Sequence, residues 1–420
     1  MSRYGDDPTP VTRVQGPNWG RVFAVVLSIV LAVVLIGGVA IYFLGHNLIN
    51  LTNYVSDRDV QIVEKEALPE EAIETVATEE AVGQKVSDEK LNEIHEEMNK
   101  AASQSTVTKT EAKDEDIFNF ILVGVDRRDK SWNGNSDSMM LVSINFTDAR
   151  VSIISLMRDL YVNIPDVGYQ KLNNAYARGG GPLLMQTISQ NFDVDLEAYA
   201  AVDFENMIEI IDALGGIDME WTEAEITVAN GYMMDMCNTL GMDGYDYILP
   251  VAAGTYHCNG VQAVAYARNR FVGNSDYART ERQRYVISQI LEKVKTMNIA
   301  EITAFATKVL PLVTHNFSEK DIWALVRRAT DIMTYDFVKD RIPYDDLYTV
   351  EYVNSQDMLV PDWATTIEML HETIYGSGKI SDNYDNEAED RTSGNDDFSS
   401  DFADLILNGG AQEETPYYQE

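Results

Sequence analysis

Apolar and polar residues repeat along this chain with two different periods, and the change of period marks its elements. Phe118–Val125, Met139–Phe146 and Val151–Leu156 are compact apolar runs with the composition of strands. Tyr199–Val202 is a shorter run of the same kind. Spacings of three and four take over at 204–213, 260–266, 279–296, 300–313 and 319–334, and these predict helices. The last opens on Ser318-Glu319-Lys320-Asp321, a start resembling a capping box. Strands alternating with helices predict an α/β or three-layer arrangement with a central sheet, over about 117–376.

One stretch follows neither period. Residues 22–44, VFAVVLSIVLAVVLIGGVAIYFL, are 23 positions without a charge. That length crosses a bilayer with some tilt. No clear small-residue cleavage site follows, so the stretch reads as an uncleaved anchor. Arg13 and Arg21 precede it, and the next charge after it is Asp57. Residues 1–21 are then cytoplasmic and the remainder lies outside. In that compartment Cys237 and Cys258 can pair as a disulfide. Two cysteines and five scattered histidines match no zinc-site spacing. There is no G-x-S-x-G, P-loop or H-E-x-x-H motif.

Charge changes the picture at both ends. The formal net charge is −36, and residues 57–116 hold 18 acidic against 7 basic side chains. Residues 379–420 hold 12 against 2. Segment 45–116 therefore reads as an acidic extracytoplasmic stalk, with a helical stretch around 86–102, and 377–420 as a disordered acidic tail. The domain between them is far less acidic than the whole chain. Within it, residues 268–284 (RNRFVGNSDYARTERQR) place five arginines in seventeen positions. A guanidinium keeps its charge, and its planar fork fits phosphate oxygens in pairs. The run points to an anionic, phosphorylated substrate; a solvated helix face is the bland alternative. The topology and the lack of a net basic surface disfavour nucleic acid as a partner.

Spacing sorts the arginines. Val286, Ile287, Ile290 and Val294 form an apolar stripe, and steps of three and four backwards reach Gln283 and Arg279. A cation is disfavoured at a helix N-terminus unless it shares an anion there. Arg279 and Gln283 are thus expected to face inward, and Arg282 and Arg284 the surface. Arg268 and Arg270 are two apart and share a side in an extended segment. Asp276 is either the helix N-cap or a carboxylate kept ionised among arginines. Asp126 closes the first strand run and Asp137 precedes the second, at sheet ends where α/β folds present ligand-binding groups. These two carboxylates either bind Mg²⁺ (or Mn²⁺) together with substrate phosphates, or pair with the neighbouring arginines.

FILVGVDRR, NSDSMMLVSIN, SLMRDLYVNIP, KLNNAYARGGG, VDFENMIEIIDALGGID and GVQAVAYARNR…SDYARTERQR follow an apolar anchor in this order. The ordered set, over roughly 117–376, closely resembles the LytR–CpsA–Psr family of bacterial, mainly Gram-positive, cell-wall enzymes. The resemblance implies a membrane-anchored, single-pass phosphotransferase with an extracytoplasmic catalytic domain. Its fold would be a three-layer α/β/α sandwich with a central mixed sheet and a hydrophobic lipid pocket. It would move a glycopolymer, such as teichoic acid or capsule, from an undecaprenyl-pyrophosphate carrier to peptidoglycan through a phosphodiester. Asp126 and Asp137 then resemble the magnesium ligands. Arg158, Arg268, Arg270, Arg279 and Gln283 resemble the pyrophosphate contacts, with Lys171 a weaker match and Arg128 the arginine of G-x-D-x-R. Asp276 resembles the carboxylate that takes the acceptor's proton.

The chain departs from that pattern at Asn135, where arginine is common, at Met157, where proline is, and at Asn174, where histidine is. Asn135 cannot pair with a phosphate as an arginine would, and Arg178 is a candidate to do so in its place. Two other readings stand beside transfer: a non-catalytic polyprenyl-phosphate sensor or scaffold acting as a regulatory attenuator, and a polyprenyl pyrophosphatase.

Overall fold

The structure, a computed structural model, describes residues 52–56, 61–64, 68, 83–103, 116–127, 131–273, 275–332 and 334–376. The anchor expected at 22–44 and the tail at 377–420 lie outside the described residues. Among the described residues, no helix is long and apolar enough to cross a membrane.

In chain order the strands are β1 (Asn53–Tyr54), β2 (Gln84–Lys85), β3 (Ile117–Asp126), β4 (Asn135–Asn145), β5 (Arg150–Leu156), β6 (Tyr161–Ile164), β7 (Gly168–Lys171), β8 (Ala198–Asp203), β9 (Ile217–Trp221), β10 (Gly254–Cys258), β11 (Thr314–His315), β12 (Asp336–Ile342), β13 (Tyr348–Val353) and β14 (Gln356–Pro361). The α-helices are α1 (Asp88–Ser103), α2 (Asn173–Phe192), α3 (Phe204–Ala213), α4 (Glu223–Leu240), α5 (Gly260–Arg268), α6 (Ser275–Lys295), α7 (Ile299–Val309), α8 (Glu319–Ile332) and α9 (Trp363–Tyr375).

Seven strands form one mixed sheet in the order β1-β11-β8-β3-β4-β5-β12. Its two faces follow from the alternation of side chains along a strand. On β3, Phe118, Phe120 and Leu122 join a core with α3 to α8, whereas Ile121, Val123 and Val125 join a core with α1, α2 and α9. Two apolar cores, one on each face, make the expected α/β/α sandwich.

Several expectations need correction. The segment read as a stalk gives three elements to the folded domain. β1 pairs with β11 at the sheet edge, β2 pairs with β13, and α1 buries Ile94 and Met98 against α2 and α9. Among the described residues of this segment, Glu93, Glu96 and Glu97 lie on the exposed face of α1. Helices α2, α4 and α9 have no counterpart in the periodicity of the sequence. In α2, Gly179 and Gly180 leave helical geometry ahead of Pro182, so no continuous period survives. Helix α4 is buried on more than one side, which erases its polar face. The helix expected to run to 313 stops at Val309, where a 3₁₀ turn at Leu310–Leu312 begins around Pro311. Cys237 and Cys258 are free, buried thiols. The Cys258 sulfur instead accepts the indole N–H of Trp221 at 3.3 Å.

Candidate functional site

Strands β3, β8 and β5 run in one direction, so their carboxyl ends reach a common edge of the sheet. Asp126 closes β3, Asp203 closes β8, and Arg158 stands two residues past β5. Asp137 arrives at the same edge from the antiparallel β4. Gly124 pairs with Ser138 and Val125 with Ser136, which leaves Asp137 as the extra residue of a bulge. Bulges re-aim a side chain at the cost of one ladder position. Across the edge, Asp203 caps α3 by accepting from the Asn206 amide and holds Arg127 at 3.1 Å.

The arginines gather on these carboxylates. Arg158 donates to Asp137 at 3.1 Å and meets Asp159 at 3.5 Å. Lys171, at the end of β7, reaches Asp159 at 2.6 Å. Arg268, the last residue of α5, meets Asp126 at 3.5 Å. Burial alone would raise the pKa of Asp137, but the charges of Arg158, Arg279 and Arg268 outweigh it and hold the group below the usual carboxylate range. For Asp159, burial is likewise overturned by Arg158, Lys171 and Arg279. Arginines from two distant stretches of the chain, Arg158 and the run that holds Arg268 and Arg279, thus act on one ionised carboxylate.

Helix α6 supplies the rest. Arg279 and Gln283 are buried and line a polar cleft with Asp137, Ser138, Arg158 and Thr280. The inward stripe is as expected. The surface placement of Arg282 is not: it is 5% exposed and pairs with Glu225, which is 0% exposed, at 3.3 Å. It also donates to the carbonyls of Asn269 and Val272, so it fastens the loop before α6. Arg284 is half-buried and donates to the Ser155 hydroxyl at 2.7 Å. The guanidinium of Arg270 lies 5.4 Å over the Phe271 ring, outside these carboxylate contacts. Asp276 falls in the first turn of α6, inside the helix rather than ahead of it. Arg128 lies outside the described residues. Arg178 is engaged away from this edge, by the carbonyl of Val63 and by Glu64 at 3.7 Å. Asp159 and Ser138 were not singled out from sequence; the adjacency of Asp159 to Arg158 was the available signal.

An apolar cavity opens beside the polar cleft. It encloses about 1370 Å³, open mouth included, between the sheet and helices α3, α5, α6 and α8. Leu122, Met140, Phe204, Met207, Val286 and Ile290 are among its walls, and Thr52, just ahead of β1, also reaches it. Ser138 and Gln283 line both spaces. The two cavities therefore meet at those residues, one apolar and one cationic.

Asp126 and Asp137 suit a hard divalent cation as a donor set, with substrate oxygens completing the shell. Among the described residues, no three His, Cys, Asp or Glu side chains come together to hold a metal by themselves.

Comparison with known proteins gives the chain its relatives. The chain is 34% identical over 197 residues to the Biofilm regulatory protein A of Streptococcus mutans, covering 44% of this chain and 46% of that one. It is 33% identical over 199 residues to the polyisoprenyl-teichoic acid–peptidoglycan teichoic acid transferase TagU of Enterococcus faecalis, covering 46% and 59%. The chain thus spans about half the length of these curated relatives. The crystal structure of protein gbs0355 from Streptococcus agalactiae shares the fold, with a TM-score of 0.50 at 22% identity over 64% of this chain and 93% of that one. The family model described as LytR_cpsA_psr matches residues 82–372, from just ahead of β2 into α9, and so takes in every element of the site except β1. The chain belongs to the LytR_cpsA_psr family.

Proposed function

We propose that this protein transfers a glycopolymer from a polyprenyl-pyrophosphate carrier, undecaprenyl in length, to peptidoglycan through a phosphodiester bond. The observation that carries the reading is the meeting of an apolar cavity with a cluster of arginines at Ser138 and Gln283. A ligand filling both has a hydrocarbon tail and a multiply charged head. The name of the Enterococcus faecalis relative, a polyisoprenyl-teichoic acid–peptidoglycan teichoic acid transferase, supports it.

In this reading Arg158, Arg268, Arg279 and Gln283 hold the pyrophosphate and neutralise the charge that gathers on its oxygens. Arg270 and Lys171 add to the positive field, and the family motif assigns Arg128 to the same task. Asp276 accepts the proton of an acceptor hydroxyl, whose oxygen bonds to the glycan-side phosphorus. The bond from that phosphorus to the bridging oxygen breaks, and the lipid leaves as its monophosphate. General-base help of this kind contributes about 10²–10⁴-fold. Mg²⁺, or Mn²⁺ in its place, held by Asp126 and Asp137, would supply further charge neutralisation at the pyrophosphate.

Replacing Arg268 and Arg270 together with Ala should abolish transfer from purified lipid-linked donor while the thermal unfolding midpoint stays near that of the parent. Near-parental transfer would remove these residues from the site. Lipid phosphate released without acceptor glycan would identify a pyrophosphatase. Donor binding without turnover would favour a regulatory scaffold, in line with the name of the Streptococcus mutans relative.

A further inference from the structure

Asn135 opens β4 directly opposite Asp126, the last residue of β3. Side chains opposite one another in an antiparallel pair share a face, with Cβ atoms about 4.5–5.5 Å apart. On this face Arg268 meets Asp126 at 3.5 Å, and the charge of Arg268 reaches Asp137 as well. Asp126, Asp137 and Asn135 therefore stand together at the sheet edge, beside one guanidinium.

The carbonyl oxygen of the Asn135 side chain is buried with no hydrogen-bond partner among the described residues. An unmet buried acceptor is costly to leave so. Asn135 as a whole is only half-buried, and the Asp126 side chain opposite it is 34% exposed, so a small ion has access to the pair. The start of β4 is also fixed in place. Gly134 has a φ of +88°, and a Cβ there would lie 2.9 Å from the Asp126 carbonyl oxygen and 2.8 Å from the Arg127 Cβ. Arg127 closes the same turn by donating to the Trp132 carbonyl at 3.3 Å, and it spends its charge on Asp203 at 3.1 Å rather than on Asp126.

A carboxamide oxygen is neutral and hard, and divalent cations take it alongside carboxylates. An arginine at this position would set a further positive charge beside Asp126 and repel such an ion. Asparagine removes the repulsion and adds a donor atom. We infer that Asn135 is a third protein ligand, through its side-chain oxygen, of a divalent cation held with Asp126 and Asp137. This rests on the transfer reading above and deepens it, because the lost phosphate contact at position 135 becomes a stronger hold on the metal.

The test is binding of Mn²⁺ alone to the full chain in detergent, followed by loss of the free-ion electron paramagnetic resonance signal. The salt is kept near physiological strength, about 0.15 M, to screen the acidic termini. The parent should show one site tighter than the rest. Asn135→Leu, similar in size but without the oxygen, should weaken that site at least threefold, with the metal-free unfolding midpoint near that of the parent. Asn135→Arg should weaken it at least tenfold, and Asn135→Asp, which keeps an oxygen in place, should bind at least as tightly as the parent. Should the Leu variant not fold, the Arg and Asp variants decide. Parental affinity in the Leu or Arg variant, weaker binding in the Asp variant, or no Mn²⁺ site in the parent would overturn the inference. Donor binding and transfer by a parent whose Mn²⁺ affinity ignores position 135 would keep the transfer reading without this ligand. A site that responds to the variants in a protein that performs no transfer would keep the ligand and remove that reading.

Discussion

Arg282 and Arg279 lie three positions apart in one arginine-rich run and do different work. Arg279 faces the polar cleft, whereas Arg282 neutralises a fully buried glutamate and ties down the loop before α6. Removing one partner of a buried pair leaves the other charge stranded, at about 3–5 kcal/mol. Arg282→Ala should therefore lower stability by that amount in chemical denaturation, a larger loss than the donor-contact variants show. The inward stripe was legible because helical spacing projects from Val286 and Ile290 back to Gln283 and Arg279. The fate of Arg282 was not, because its partner Glu225 is 57 positions away and no local pattern announces it. His315 makes a second residue-scale prediction. Burial beside the apolar cavity lowers it to about 4, against an ordinary value of 6.5. The unfolded chain then binds the proton more readily than the folded one. Stability is full above about pH 6.5, falls as pH drops from there towards 4, and loses about 3 kcal/mol in all. A His315→Phe variant should flatten that part of the urea-midpoint profile between pH 7 and 4.

At the scale of elements, the strands carrying the site were readable because each is a short apolar run flanked by its charged residue. The bulge that turns Asp137 inward was not readable, since an extra residue in a ladder is defined only by the partner strand. Helix α2 was hidden by its own glycines, and β12 by Lys339, Asp340 and Arg341, of which the last two are buried. Close helix contact is visible at Gly260, the first residue of α5, whose missing Cβ would collide with the carbonyl of Ile208 in α3. Both helices wall the apolar cavity, through Met207, Ile210 and Val264. Gly260→Ala should push them apart, costing about 1–3 kcal/mol and weakening polyprenyl-pyrophosphate binding in the same preparation. Equal donor affinity in a destabilised variant would separate the helix contact from the lipid site.

Over the whole molecule, the sequence overstated the stalk. Net charge located the acidic termini correctly as composition but said nothing about which residues fold. Helix α1 shows that an acidic segment with only Ile94 and Met98 buried can belong to a domain. The cavity, by contrast, is a property of the assembled layers that no segment foreshadows. Filling it tests its role directly. Val202→Trp, at a half-buried wall position, should reduce affinity for long polyprenyl donors about tenfold while short-chain donors bind as before; equal loss for both lengths would place the lipid elsewhere.

The shared position of Ser138 and Gln283 gives the molecule a zero mark. Under the transfer proposed above, a donor that occupies both spaces would put its phosphate at that boundary, so the hydrocarbon would be measured in one direction and the sugar polymer in the other. Variation in lipid length is absorbed at the far end of the cavity, near Thr52 and His315, and variation in the polymer is absorbed in solvent. Such a catalyst reads the junction between the two halves of its donor and is blind to what lies beyond. One chain can then serve polymers that have nothing in common except their link to the carrier.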